Sequence, residues 1–142
     1  VIMLVLSFFT GHTKMGKAMR ACSEDKAAAQ LMGIDVNRTI SMTFAIGSAL
    51  AAVAGVLLCS TYPTLMPTTG SLPGIKAFTA AVFGGIGSIP GAMLGGILLG
   101  IIEIFAKAFN TNISDAVVFA VLIVVLLVKP SGLLGKTVRE KV

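Results

Sequence analysis

Long uncharged runs separated by short polar segments dominate the chain. No charged residue occurs between 39 and 75, and the run 39–62 is long enough, as a helix, to cross the ~30 Å hydrocarbon layer of a membrane. A second uncharged run, 116–128, predicts a last span over 113–129 if the span is counted from Ile113 and Lys129 extends its amine to the interface. The opening stretch, 1–11, has about half the length that a span requires, and we expect it to be the end of a truncated span.

The segment 83–100 interrupts this pattern, because it holds seven of the sixteen glycines and Pro90. We predict that 76–83 enters the membrane as a half-helix, that 84–91 turns inside it and that 92–107 returns. Glycine permits the backbone angles of such a turn, and proline is suited to start the second helix. The alternative is close helix packing through glycines spaced by four residues. The glycines with this spacing are Gly87, Gly91 and Gly95, together with Gly96 and Gly100.

The composition supports a membrane protein, with 56% hydrophobic and 12% charged residues and a net charge of +5. Five of the eleven Lys and Arg residues lie in 14–38 and four in 129–141. The positive-inside rule therefore places both segments, including the tail 130–142, in the cytoplasm. Two full crossings joined by a turn need at least ~40 residues. Because 76–109 is shorter than that, we predict a re-entrant or broken helix. The positive charge then needs no nucleic-acid partner, and membrane lipid accounts for it.

The polar loop 14–38 predicts a short cytoplasmic helix. Ser23 is a candidate N-cap, Glu24 and Asp25 fall in the first turn, and Gly33 is a candidate C-terminal stop. A helix of about ten residues is marginal alone and must dock on something. Its alanines favour contact with another protein, whereas helices that rest on lipid usually carry bulky apolar side chains. Docking on lipid is the alternative interpretation.

The sequence offers little for catalysis or metal binding. Gly132 to Thr137 ends like a phosphate-binding loop but lacks the required first glycine, and a lone histidine, His12, provides neither a metal cluster nor a nucleophile–base pair. We therefore expect no catalytic residue, no metal and no cofactor. Glu103 and Lys107 have the spacing of an ion pair on one helix, and the two cysteines, Cys22 and Cys59, are interpreted as small apolar fillers.

Two stretches carry a resemblance to a known family. They are MGKAMRACSEDKAAAQLMGID at 15–35 and AFTAAVFGGIGSIPGAMLGG at 77–96. Both closely resemble the high-affinity branched-chain amino acid ABC importer permeases of bacteria. The resemblance covers essentially all 142 residues and matches the carboxy-terminal half of such a permease. It implies an all-α, polytopic membrane helix bundle with a broken or re-entrant hairpin and a short cytoplasmic coupling helix.

The resemblance also implies a function. Such a chain belongs to a multi-pass inner-membrane subunit, with a cytoplasmic C-terminus, that imports Leu, Ile or Val. Its partners are a second permease subunit, two cytoplasmic ATP-binding subunits that hydrolyse ATP, and a periplasmic substrate-binding protein. A permease of the same family for urea or short-chain amides is one alternative. An ion-coupled secondary transporter is another, but it requires acidic or histidine side chains along its route, where this chain has only the peripheral Glu103.

Site residues follow from the resemblance and from the broken segment. In that family the loop that matches 21–33 is the coupling helix seated on the ATPase, although the usual Glu-Ala-Ala triplet reads Glu24-Asp25-Lys26 here. The residues expected to couple to the ATPase are Arg20, Ser23, Glu24, Ala27, Ala28, Leu31 and Gly33. A broken membrane helix exposes backbone groups that are able to meet a zwitterion. The residues expected beside the substrate pathway are Gly84, Gly85, Gly87, Ser88 and Pro90.

Overall fold

A computed structural model of the protein describes residues 1–135, and every regular element in this range is a helix. The part of the predicted tail 130–142 that follows Gly135, with three of its basic residues and the end of the phosphate-loop-like motif, lies outside the described residues. The helices are α1 (Ile2–His12), α2 (Lys14–Glu24), α3 (Lys26–Leu31), α4 (Val36–Thr61), α5 (Ser71–Gly84), α6 (Ile89–Phe109) and α7 (Ser114–Val128). They form two compact units, α1–α4 and α5–α7.

In the first unit, α1 and α2 meet at a sharp bend. Thr13 has extended backbone angles and its hydroxyl accepts a hydrogen bond from the Gly16 amide at 3.1 Å, which caps α2. A Cβ on Gly16 would lie 2.5 Å from the Phe9 carbonyl oxygen, so only glycine allows this close approach. The polar loop therefore continues from α1 as a second helix with no flexible link between them.

The longest helix of the first unit, α4, begins three residues before the predicted span 39–62 and ends one residue before its end. Asp35 caps it by accepting a hydrogen bond from the Arg38 amide at 3.2 Å. Its 26 residues are long and apolar enough to cross a membrane, as are those of α6. The apolar window of α4 is unburied within the chain, which leaves its side chains to face lipid or other segments.

In the second unit, α5 and α6 form an antiparallel hairpin, and α7 packs against both. The core consists of Phe83, Leu99 and Val118, one from each helix. At the hairpin contact the helices touch through their backbones, because a Cβ on Gly95 would overlap the Ala80 carbonyl oxygen. Gly91 faces Gly84 in the same way. The packing interpretation is therefore confirmed for these two glycines of α6.

Other glycines form a turn between α5 and α6, with boundaries that differ from those predicted. Gly85 and Gly87 have φ angles of +108° and +90°, which glycine adopts without strain. The unwound part is 85–88 and not 84–91, because Gly84 ends α5, while Ser88 caps α6 and Pro90 occupies its first turn. The entering helix begins at Ser71, five residues before the predicted start at Lys76. Helix α7 agrees with the predicted 113–129 to within one residue at each end.

Replacing Gly95 by alanine should destabilise the second unit, because the added methyl group overlaps the α5 backbone and overpacking costs about 1–3 kcal/mol. The matched control is Gly96→Ala, whose Cβ would lie 3.9 Å from the Ala80 Cβ. At that position alanine should be neutral or should gain up to ~1 kcal/mol in helix propensity. The measurement is the thermal unfolding midpoint of the detergent-solubilised protein, and equal midpoints for the two variants would contradict the proposed backbone contact.

Candidate functional site

The polar loop folds as two helices, which corrects the single helix predicted to start at Ser23. Ser23 lies inside α2, where its hydroxyl donates to the Arg20 carbonyl at 2.7 Å. Asp25 is the cap, since its carboxylate accepts from the amides of Ala27 at 2.9 Å and Ala28 at 3.2 Å. A serine hydroxyl bonded to the preceding turn is not available as a cap, whereas the aspartate carboxylate satisfies two amides at once. Helix α3 is therefore only six residues long.

The other end of α3 agrees with the sequence. Gly33 has a φ of +81°, and its amide donates to the Gln30 carbonyl at 3.0 Å, while the Ile34 amide donates to the Ala29 carbonyl at 3.1 Å. These two bonds make a Schellman motif, which ends the helix at a defined residue. Gly33 is confirmed as the C-terminal stop.

A small apolar cluster fixes α3 to its neighbours. Ala29 is buried against Cys22 of α2 and Val36 of α4, with Ala21 and Ile34 packed around them. Cys22 is thus the apolar filler that the sequence suggested. A six-residue helix is unstable by itself, so this cluster and the two caps hold it in place.

Burial of Ala29 turns the rest of α3 outward. All the residues predicted to couple to an ATPase are exposed, namely Arg20, Ser23, Glu24, Ala27, Ala28, Leu31 and Gly33. Leu31 is 88% exposed and Met32, which the sequence argument did not select, is 82% exposed. Two such exposed apolar side chains beside two exposed alanines make a surface suited to a protein partner. We call the exposed residues of α3 with Met32 the α3 surface.

The second candidate site is the turn 85–88, whose predicted pathway residues differ in access. Gly84 and Gly85 are buried, Ser88 is half-buried, and Gly87 and Pro90 are exposed. The Gly85 amide donates to the Ala81 carbonyl at 3.1 Å, and the Ser88 hydroxyl accepts from the Gly91 amide at 3.2 Å. These groups are engaged within the chain, so the turn presents Gly87 and its neighbour Ile86 to the surroundings.

Sequence reasoning missed a segment that covers this turn. Residues 131–135, here called the strap, follow α7 and run along the end of α5. The Leu133 amide donates to the Phe83 carbonyl at 2.9 Å, and the Leu134 amide donates to the Gly84 carbonyl at 3.0 Å. The turn thus lies at the end of α7, and not halfway along it as two half-helices would require. The pattern Pro130-Ser-Gly132 indicated the helix end but not its partner.

An ion-pair network joins the three helices of the second unit at the other end of the hairpin. The predicted Glu103–Lys107 pair is present, with 2.6 Å between Nζ and Oε1. Lys76 of α5 also contacts Glu103 of α6 at 2.7 Å and Asp115 of α7 at 2.8 Å. These two pairs were not predicted from the sequence, although Lys76 is one of only two Lys or Arg residues outside the two basic clusters.

Comparison with known proteins gives one family and several relatives. The family model described as "Branched-chain amino acid transport system / permease component" matches residues 1–126. The chain is 55% identical over 99% of its length to the high-affinity branched-chain amino acid transport system permease protein LivH of Escherichia coli, and 53% identical over its whole length to the corresponding protein BraD of Pseudomonas aeruginosa. It is 27% identical over 79% of its length to the fructose import permease protein FrcC of Rhizobium meliloti.

These alignments cover only part of the relatives. The chain spans 46% of LivH, 47% of BraD and 33% of FrcC, which is about half the length of the two most similar proteins named here. No solved structure matches the chain.

Replacing Lys76 by methionine should lower the thermal unfolding midpoint in detergent more than replacing Lys107 by methionine. Lys76 binds carboxylates on two other helices, whereas the Lys107 pair lies within α6 and its loss leaves Glu103 still bound to Lys76. Both variants remove one positive charge, so the comparison isolates the contacts between helices. High salt should reduce the difference, because these pairs are partly exposed, and equal midpoints at low salt would refute the bridging role.

Proposed function

Because this chain belongs to the branched-chain amino acid transport permease family, we propose that it forms the carboxy-terminal half of a permease subunit in an ATP-driven importer. The importer carries Leu, Ile and Val into the bacterial cytoplasm through the inner membrane. Its remaining parts are a second permease subunit, two cytoplasmic ATP-binding subunits that hydrolyse ATP, and a periplasmic binding protein. The chain itself supplies transmembrane helices and a docking loop.

The substrate assignment rests on the difference between two sequence identities, one to an amino acid permease and one to a sugar permease. The match to LivH is 55% over nearly the whole chain, against 27% to the fructose permease. This difference favours amino acids over sugars. A permease for urea or short-chain amides is the second candidate within the family, and a direct comparison of labelled leucine and urea uptake separates the two.

The observation that carries the coupling role is the α3 surface. The buried cluster and the two caps hold this six-residue helix in place, and they leave Leu31, Met32 and two alanines exposed for contact with a partner. We assign Arg20, Ser23, Glu24, Ala27, Ala28, Leu31 and Gly33 to contact with an ATP-binding subunit. The departure from the Glu-Ala-Ala triplet fits this geometry, since Asp25 serves as the cap and leaves Glu24 at the end of α2.

The cluster beneath α3 provides a route for the mechanical step. Ala29 of α3 and Val36, the first residue of α4, share one buried cluster with Cys22. Movement of an ATP-binding subunit that pulls α3 would therefore also pull the start of α4. A flexible link between α3 and α4 would absorb this movement. The link is instead short and has a defined conformation, because the Schellman motif at Gly33 ends α3 and the Asp35 cap starts α4.

The hairpin is proposed to enter the membrane from the periplasmic side, with its turn beside the substrate pathway. The residues assigned to the pathway remain Gly84, Gly85, Gly87, Ser88 and Pro90. Gly87 and Pro90 are the exposed ones, whereas the Gly84 carbonyl is bonded to the strap. An ion-coupled mechanism is disfavoured, because the Glu103 carboxylate is held by two lysines.

Replacing Ala28 by arginine in the complete permease should abolish capture of the ATP-binding subunits and uptake of labelled leucine. The side chain projects from the exposed side of α3, where a long charged group would hold the two surfaces apart. The readouts are co-purification of the ATPase and leucine transport in cells.

The control for this variant is Asn37→Arg, which adds the same charge at an exposed position in the first turn of α4. It should retain both capture and uptake. If the Ala28→Arg permease captured the ATP-binding subunits normally, at equal permease levels in the membrane, α3 would not be part of the interface with them.

Labelling with a membrane-impermeant thiol reagent should place Asn112 and Leu134 on opposite sides of the membrane. The background carries Cys22→Ala and Cys59→Ala, and each test position is replaced by cysteine. We expect intact cells to label position 112 and not position 134, because Lys129 and the basic residues after it are proposed to be cytoplasmic. Permeabilised cells, in which both should react, provide the control, and equal labelling in intact cells contradicts the topology.

A further inference from the structure

The strap contacts the turn through main-chain atoms. Its two amide donors, on Leu133 and Leu134, are bonded to the carbonyls of Phe83 and Gly84. A Cβ on Gly132 would lie 2.6 Å from the Gly85 Cα, and both glycines have positive φ angles. The two segments thus fit together because each has a glycine where a side chain would intrude.

The strap contributes no side chain to the core of the second unit. That core is formed by Phe83, Leu99 and Val118, and its flanking residues come from α5 and α7. The side chains of Leu133 and Leu134 are 37% and 47% exposed. The Lys129 amine donates to the Leu133 carbonyl at 2.8 Å, but Lys129 lies at the end of α7 and does not tie the strap to the hairpin.

This distribution of contacts separates a rigid part from a detachable one. The hairpin is held by backbone packing at Gly91 and Gly95 and by a buried core. The strap is held to the hairpin by two backbone hydrogen bonds and by the close approach of Gly132 to Gly85, with no side chain in the core. It is able to separate without opening the core.

We infer that the strap is a latch, which releases the turn 85–88 and rebinds it in each transport cycle. The inference rests on the proposed function, because it requires a cycle, and it adds a moving part to the same turn. Bound, the strap covers the Phe83 and Gly84 carbonyls and keeps the end of the hairpin against the end of α7. Released, it exposes these carbonyls and frees the turn to shift.

The test is a reversible cross-link between the turn and the strap. Ile86→Cys and Leu134→Cys are introduced together into the complete permease carrying Cys22→Ala and Cys59→Ala. Both positions are exposed, so the changes should not disturb folding. A short, disulfide-cleavable bifunctional thiol reagent joins them, and leucine uptake and ATP hydrolysis are measured before cross-linking, after it and after reduction.

We expect cross-linking to abolish uptake and reduction to restore it. The matched control is Ala80→Cys with Gly96→Cys, where the Gly96 Cβ position lies 3.9 Å from the Ala80 Cβ, a separation suited to a disulfide within the hairpin. That bond should leave uptake intact, since the hairpin moves as one body. Unchanged uptake in a fully cross-linked turn–strap pair overturns the latch, and so does equal inhibition by both pairs.

The experiment also distinguishes a wrong latch from a wrong transport assignment. If the reduced transporter fails to import leucine but imports another solute, the proposed substrate is wrong, and the two cysteine pairs are compared on that solute. If the reduced protein imports leucine normally and remains active when cross-linked, the transport assignment stands and the latch does not.

Discussion

Close approach of backbone to backbone is the constraint on which the second unit depends. At Gly84, Gly91 and Gly95 the helices of the hairpin meet with no side chain between them, and Gly85 and Gly132 allow the same between hairpin and strap. In a membrane the contact between apolar side chains and lipid is nearly as favourable as contact between helices, so dense packing and satisfied polar groups decide which helices associate. The same glycines that weaken isolated helices therefore assemble this unit.

The helices of the polar loop are stabilised differently, because water competes for their hydrogen bonds. Its three helix starts are capped by Thr13, Asp25 and Asp35, each accepting from amides that would otherwise lack a partner. Caps and a cluster of small buried side chains allow a helix of six residues to keep its position. The result is an exposed surface whose location relative to the start of α4 is well defined.

Much of this architecture could be predicted from the sequence. The features that were predicted wrongly or missed have physical explanations. Helices α4 and α7 were predicted closely because uncharged runs set their lengths, and Gly33 and Pro90 marked ends through local backbone preferences. Ser23 was misassigned because its hydroxyl bonds to its own helix. The strap and the Lys76 contacts were missed because they join residues far apart in the chain, and no spacing rule reports such contacts.

Helix α7 acts as a spacer of set length. Asp115 at its beginning is bound to Lys76, and the strap that follows its end is bound to Phe83 and Gly84, so both of its ends are tied to α5. One inserted residue would move one end by ~1.5 Å and rotate it by about 100°, and the two attachments could not both be kept. Natural variation in this helix should thus favour exchange of one apolar side chain for another over insertion or deletion.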